Sequence, residues 1–189
     1  LAFLDDIVSH EGVEWVGTTN ELNGAYTADG YARMNGLGVL VTTFGVGELS
    51  AVNGIAGSYA ERVPVIAITG APTRAVEKAG KYVHHSLGEG HFDSYRHMFE
   101  PITTAQAYIT TENATTEIPR VINAAIQERR PVHIHLPIDV AVSDIEVEQP
   151  FKVEKTPQQD VSQYVDMVAD KLRSCLLYTS PSPRDGLLS

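Results

Sequence analysis

Two short polar segments of the sequence contain side chains that could perform acid–base chemistry. Glu21 lies in the first, Asn20-Glu21-Leu22-Asn23, and the adjacent residues His84 and His85 form the second. Carboxyl and imidazole groups can hold, donate or accept a proton near neutral pH. Both segments are predicted at loops or helix ends, where side chains can face a cleft. Glu21, His84 and His85 are therefore the first candidates for a reaction centre.

Glu21 has two interpretations. Asn20 is a favourable helix N-cap, and the helix dipole stabilises an acidic residue in the first turn by roughly 0.3–1 kcal/mol. Alternatively, the carboxyl group of Glu21 lies in a partly buried crevice, where it can share a proton with a ring nitrogen. The spacing of the residues leaves both interpretations open.

The histidine pair also has two interpretations. A histidine doublet in a loop can be solvated or can cap neighbouring backbone groups. However, Gly88 and Gly90 lie in the loop 83–90 and Gly80 precedes it, so this segment can bend the imidazoles towards a cleft. Metal binding is less favoured because further ligands would have to come from elsewhere in the fold, and we expect no metal site in this chain.

Two other motifs have simpler structural explanations. His133 and His135 lie on one face of a predicted strand, a spacing compatible with metal binding, but the strand is apolar and flanked by prolines. We therefore expect neutral imidazoles that are hydrogen-bonded at the sheet margin. Gly45-Val46-Gly47 is similar to a dinucleotide-binding fingerprint, but Ser50 replaces its third glycine. A non-catalytic nucleotide-binding module is therefore disfavoured.

The elements that would position these residues alternate between helix and strand. Helices are predicted at 1–10, 22–34, 49–61 and 116–128, and strands at 14–18, 39–43, 64–69, 101–103 and 131–136. Apolar strands between helices are typical of an α/β fold with a parallel sheet covered by helices on both faces. Ligands of such sheets bind at the carboxyl ends of the strands. Four residues are predicted there: Glu21, Thr43, Val46 and Gly70.

The domain organisation follows from changes in composition. Residues 1–145 are predicted to form the α/β domain, 146–159 a linker, and 160–174 the start of a further domain. Residues 175–189 resemble translated adapter sequence, and we expect them to be non-native. Because the sequence starts with Leu1 inside a helical pattern, we expect that the native N-terminus and the first strand of the domain are missing.

The net charge, the length of the apolar runs and the cysteine count argue against several classes of protein. A net charge of −10 argues against a nucleic-acid partner. No apolar run approaches the roughly 20 residues that span a bilayer, so we expect no membrane partner. The single cysteine, Cys175, lies in the terminal segment that we expect to be non-native. Disulfides and thiolate chemistry are therefore not expected, which suits a cytoplasmic protein.

Five segments closely resemble thiamine diphosphate-dependent 2-keto acid decarboxylases, especially the indolepyruvate, branched-chain keto acid and pyruvate decarboxylases. They are residues 18–26, 30–33, 43–51, 60–66 and 83–88. The resemblance spans residue 1 to about residue 174. It implies the pyrimidine-binding domain of the thiamine diphosphate fold. It also implies non-oxidative decarboxylation of a 2-keto acid to an aldehyde and carbon dioxide.

The resemblance also implies roles for individual residues. Glu21 matches the glutamate that hydrogen-bonds the cofactor's aminopyrimidine, and Thr43 and Val46 match positions that line the pyrimidine pocket. His84 and His85 match a histidine pair implicated in proton transfer and aldehyde release. Acetolactate synthases and pyruvate oxidases, the alternative members of this fold, generally lack that pair.

Further implications concern what lies outside the chain. The resemblance implies that Mg²⁺ and the diphosphate group bind in a C-terminal domain, and that the enzyme is a homodimer or homotetramer. The chain alone is therefore expected to be inactive. The sequence does not identify the 2-keto acid. The segment 89–98, taken as a loop, contains Phe92, Tyr95 and His97, which could contribute to the substrate pocket.

Overall fold

The computed structural model describes residues 2–147, 151–153 and 160–174. They divide into two compact units, Leu1–Lys155 and Thr156–Ser189. In the second unit the structure describes one helix, Ser162–Ser174. The segment 175–189, with Cys175, and most of the predicted linker, at 148–150 and 154–159, lie outside the described residues.

Among the described residues of the first unit, four parallel strands form a sheet. They are β1 (Gly38–Thr43), β2 (Val65–Ala71), β3 (Ala105–Tyr108) and β4 (Val132–Pro137). The strands are hydrogen-bonded in the order β1-β2-β4-β3, with Gly38 opposite Val65 and Ile66 opposite Val132. The predicted α/β fold with a parallel sheet is confirmed.

Helices connect the strands. They are α1 (Ala2–Ser9), α2 (Glu21–Asn35), α3 (Val46–Ala60), α4 (Arg74–Lys78), α5 (Asp93–Phe99), α6 (Ala114–Glu128) and α7 (Ile138–Ala141). Asn20 caps α2 as predicted, because its side chain accepts a hydrogen bond from the backbone N–H of Asn23 at 2.9 Å. In the part of the chain that the structure describes, no helix is long and apolar enough to cross a membrane.

The core has two layers, one on each face of the sheet. Val65 and Ala67 of β2 pack in a cluster with residues of α2 and α3. Their neighbour Ile66 packs instead in a second cluster that includes Val121 of α6. Because successive residues of a strand face opposite sides of a sheet, the two clusters lie on opposite faces. This arrangement explains the continuous apolar run of β2 in the sequence.

Two predicted strands are wrong. Residues 14–18 are exposed and form no ladder with any described strand. The segment 101–103 overlaps a 3₁₀-helix, Glu100–Ile102, and β3 begins only at Ala105. Pro101 explains this shift, since proline lacks the N–H group that a strand ladder requires but is accepted at the start of a helix.

Candidate functional site

Three of the predicted site residues lie around the turn Gly45-Val46-Gly47, between β1 and α3. Thr43 is the last residue of β1, Val46 is the first of α3, and Glu21 is the first of α2. A β-carbon placed on Gly47 would lie 2.8 Å from Cγ2 of Thr43 and 3.3 Å from Oε1 of Glu21. The side chains of Thr43 and Glu21 therefore approach the same backbone atom.

The carboxyl group of Glu21 is accessible to a ligand. Glu21 is half-buried, whereas Thr43 is exposed and Val46 is 55% exposed. None of the described residues donates a hydrogen bond to the Glu21 carboxylate. Since Asn20 already caps α2, the side chain of Glu21 is not needed for that purpose.

His84 and His85 lie on a loop whose two ends meet. A β-carbon placed on Gly90 would lie 2.5 Å from the carbonyl oxygen of Gly80, and both glycines have a positive φ, +73° and +58°. A surface loop with touching ends is an Ω-loop, a type that often carries functional residues. Residues 80–90, which we call the histidine loop, therefore form a compact loop whose two ends are in contact.

The tip of the histidine loop packs on the turn Gly45-Val46-Gly47, which the side chain of Glu21 also approaches. Gly45 has a φ of +66°, and a β-carbon there would overlap the carbonyl oxygen of His85. The imidazole of His85 is in edge contact with that of His84, with ring centroids 4.5 Å apart, and lies 5.9 Å from the ring of Phe44. Both imidazoles are exposed. The two segments singled out in the sequence therefore meet at the end of β1.

Glu48 is a residue of this region that the sequence analysis missed. It is 2% exposed, and its Oε1 accepts a hydrogen bond from the backbone N–H of Gly45 at 2.8 Å. A glutamate three residues after a helix N-cap commonly binds the N-cap backbone in this way. The spacing between Gly45 and Glu48 was the signal that could have identified it.

His133 lies behind Glu48 in the interior. Its Nε2 is 2.9 Å from Oγ1 of Thr69 and 3.4 Å from Oε2 of Glu48, and its ring stacks on Phe99. Burial lowers the pKa of the His133 imidazole, although the nearby Glu48 carboxylate acts in the opposite direction. The imidazole is therefore neutral and hydrogen-bonded, as predicted, but it is fully buried rather than at the sheet margin.

His135 belongs to a separate polar cluster. Its Nε2 is 2.9 Å from Oε1 of Glu77, while the hydroxyl of Tyr108 donates to Oε2 of Glu77 at 2.6 Å. Burial, and then the Glu77 carboxylate, raise the pKa of Tyr108 well above its usual range. These side chains line a cleft of about 420 Å³ together with Arg74, Lys78, Gly90, His91, Phe92 and Asp93. Within the described ranges no group of three His, Cys, Asp or Glu side chains could hold a metal ion.

The segment 89–98 is not a loop throughout. Helix α5 starts at Asp93, and Tyr95 is 3% exposed, with its hydroxyl donating to the carbonyl oxygen of His85 at 3.3 Å. The prediction of a loop is therefore wrong from Asp93 onwards. Tyr95 contacts the histidine loop from inside the domain.

Comparison with known proteins identifies the family of this chain. The family model described as thiamine pyrophosphate enzyme, N-terminal TPP binding domain, matches residues 1–107. An alpha-keto-acid decarboxylase of Mycobacterium leprae (strain TN) is 45% identical over 183 residues, which cover 93% of this chain and 32% of that protein. Alpha-keto-acid decarboxylases of Mycobacterium avium (strain 104) and Mycobacterium tuberculosis (strain ATCC 25618 / H37Rv) are each 50% identical over 141 residues, 75% of this chain and 25% of theirs.

The chain spans about a quarter to a third of the length of these relatives. The family model covers more than half of this chain. The chain therefore belongs to the thiamine pyrophosphate enzyme family, and residues 1–107 match the N-terminal TPP binding domain of that family. The resemblance to thiamine diphosphate-dependent 2-keto acid decarboxylases is confirmed.

Proposed function

We propose that this chain is the pyrimidine-binding part of a thiamine diphosphate-dependent decarboxylase of 2-keto acids. In this proposal Glu21, Thr43 and Val46 bind the cofactor, and His84 and His85 transfer protons. The observation that carries the proposal is the common contact of Glu21 and the histidine loop with one glycine turn, Gly45 to Gly47. That contact brings an acid and two bases to the carboxyl end of a parallel strand, where ligands of such sheets bind.

The residues around this turn suit a flat aromatic ring. Gly47 is buried, and a β-carbon there would lie 2.8 Å from the methyl carbon of Thr43 and 3.3 Å from Oε1 of Glu21, so a glycine at this position lets both side chains approach the start of α3. Val46 presents an exposed apolar surface at the start of α3. The carboxyl group of Glu21 accepts no hydrogen bond from the described residues, so it can share a proton with a ring nitrogen. A carboxylate beside an apolar surface matches the donor and acceptor pattern of an aminopyrimidine.

The chain's own residues would handle protons and orientation. When bound, thiamine diphosphate supplies the electron sink that lets carbon dioxide leave a 2-keto acid. Glu21 holds a proton between its carboxylate and the pyrimidine ring nitrogen, and Thr43 and Val46 fix the position of that ring. The imidazoles of His84 and His85 would accept and donate protons during the reaction, since imidazole exchanges protons near neutral pH.

Several finer features belong to the same proposal. The substrate is a 2-keto acid of the indolepyruvate, branched-chain or pyruvate type, and the names of the relatives support the general class. We propose that Mg²⁺ binds outside this chain, that the enzyme is a cytoplasmic homodimer or homotetramer, and that residues 1–145 form the pyrimidine-binding domain. Residues 146–159 would then be a linker, 160–174 the start of a central domain, and 175–189 non-native.

The complete polypeptide encoded by the source gene provides the test. With thiamine diphosphate and Mg²⁺ it should convert a 2-keto acid to carbon dioxide and the corresponding aldehyde, while the 189-residue chain alone should release none. A carboligated hydroxy-keto acid or a peroxide as the main product would instead support a synthase or an oxidase. Carbon dioxide release by the chain alone would contradict the requirement for a further domain.

A further inference from the structure

The backbone of His85 has a conformation that side-chain-bearing residues rarely adopt. Its φ is +67°, in the left-handed region. A residue without a special local motif stays in this region only when surrounding contacts hold it there, and such residues occur often at functional sites. The neighbouring contacts of His85 therefore show what fixes the tip of the histidine loop.

Two contacts hold the peptide group of His85. Its carbonyl oxygen lies against the α-carbon of Gly45, where a side chain would overlap it. The hydroxyl of Tyr95 donates a hydrogen bond to the same oxygen at 3.3 Å, which is longer than the roughly 2.5–3.0 Å that is usual for an O–H···O bond. A β-carbon on Gly45 would also lie 3.3 Å from Cε2 of Tyr95, so the three residues meet at one point.

Tyr95 is well suited to act as a fixed donor. It is 3% exposed and lies in α5, so its ring has little freedom to move. Burial, and then the negative charge of Glu48, raise the pKa of the Tyr95 hydroxyl, which therefore stays protonated. Glu48 in turn binds the backbone N–H of Gly45. The contacts of the His85 carbonyl are thus continuous with the buried core.

We propose that Tyr95 is a positioning residue for His85, which acts through the His85 carbonyl oxygen to fix the imidazole beside Phe44 and His84. The inference rests on the proposed function, because that function gives His85 its role in proton transfer. Removal of the Tyr95 hydroxyl leaves the ring packing intact but takes away the one side-chain donor that the structure describes at this carbonyl. The loop tip then samples other backbone conformations, and the imidazole spends less time in its working position.

The test uses Tyr95→Phe with a matched control and a rescue. Tyr82→Phe is the control, because Tyr82 lies in the same loop, is 78% exposed, and makes no described hydrogen bond. The rescue places p-aminophenylalanine at position 95, which restores an N–H donor at the end of the ring. The first readout is the backbone and imidazole NMR shifts of His85 in the 189-residue chain. The second is kcat and KM in the complete polypeptide.

Tyr95→Phe should move the His85 NMR signals away from the values that correspond to a left-handed backbone. It should leave KM unchanged and lower kcat roughly tenfold. Tyr82→Phe should match the parent protein, and the rescue should recover most of both effects. Unchanged His85 signals in Tyr95→Phe would overturn the proposal. So would failure of this variant to fold, because the hydroxyl would then support the whole domain rather than the loop.

A final comparison separates this inference from the proposed function. If Tyr95→Phe shifts the His85 signals but Glu21→Gln retains full turnover, the proposed function fails and the structural control of His85 stands. If Glu21→Gln is inactive but Tyr95→Phe has the parent kcat, the decarboxylase proposal stands and the positioning role is overturned.

Discussion

The carboxylate of Glu48 and the imidazole of His133 face each other inside the domain, with Oε2 of Glu48 3.4 Å from Nε2 of His133. The two side chains are 2% and 0% exposed. Oε2 of Glu48 and Nδ1 of His133 have no hydrogen-bond partner among the described residues. Burial is the largest effect on the imidazole and outweighs the attraction of the carboxylate, so the pKa of His133 is lowered.

This pair predicts a loss of stability in mild acid. The ordinary pKa of the His133 imidazole is 6.5. Below that pH the unfolded chain takes up a proton at His133 that the folded protein does not, so the free energy of unfolding falls as the pH drops. Above pH 6.5 the contribution of His133 to the free energy of unfolding is fully retained. One such proton gives a slope of up to about 1.4 kcal/mol per pH unit.

Urea unfolding of the parent chain, His133→Gln and His97→Gln between about pH 5 and pH 7.5 measures this effect. The slope should be reduced in His133→Gln and retained in the control, because the side chain of His97 is 56% exposed. Equal slopes in the parent chain and His133→Gln would show that His133 takes up its proton equally in both states.

Gly45 and Gly88 are two positive-φ glycines that differ in their surroundings, and Gly45 also has a ψ of −107°, outside the left-handed region, where an alanine is strained further. Their φ angles are +66° and +72°, but a β-carbon on Gly88 would meet nothing within 4 Å, whereas one on Gly45 would overlap the His85 carbonyl. Gly88→Ala should therefore lower the free energy of unfolding by about 1–2 kcal/mol through backbone strain alone. Gly45→Ala should cost at least a further ~1–3 kcal/mol, because it also displaces the loop.

Chemical denaturation of the two variants side by side tests that difference. The His85 NMR signals should move in Gly45→Ala and stay in place in Gly88→Ala. Similar losses of stability in both variants would mean that the loop tip moves away from Gly45 without cost.

The parts of the fold that the sequence predicted are those with local causes. Asn20 identified the start of α2, because a capping side chain acts within three residues of its own position. The apolar run that became β2 predicted a strand buried on both faces, and its neighbours in the sheet confirm that reading. The prediction at 14–18 was wrong because the adjacent residues Trp15 and Val16 favour an extended backbone but do not specify which strand will pair with it.

The site was predicted less completely than the fold. Glu21 and the histidine pair could be named as candidates because carboxyl and imidazole groups stand out by their chemistry. Tyr95 was named only as part of a substrate loop, and Glu48 was not named at all. Tyr95 donates to the backbone carbonyl of His85, and Glu48 accepts from the backbone N–H of Gly45. The contact of Tyr95 depends on tertiary packing, which residue types alone do not reveal, whereas the contact of Glu48 is local and its spacing from Gly45 was an overlooked signal.

The two interpretations of Glu21 predict different results for Glu21→Gln. If the carboxylate only stabilises the first turn of α2, the variant should lose up to roughly 1 kcal/mol of stability and no activity. Asn20 already caps this helix, so we expect the opposite pattern. Stability should be nearly unchanged, while turnover of a 2-keto acid by the complete polypeptide should fall about 10²–10⁴-fold, because glutamine cannot hold the proton that the pyrimidine ring requires.

The control for this prediction is Glu14→Gln, since Glu14 is exposed and its side chain makes no described contact with the Gly45 to Gly47 turn. Unfolding in urea measures stability in all three chains, and steady-state kinetics at saturating thiamine diphosphate measures turnover. Cofactor titration then separates weaker binding from loss of chemistry. Near-parent turnover in Glu21→Gln would remove the acid–base role from Glu21 and leave only its place at the start of α2.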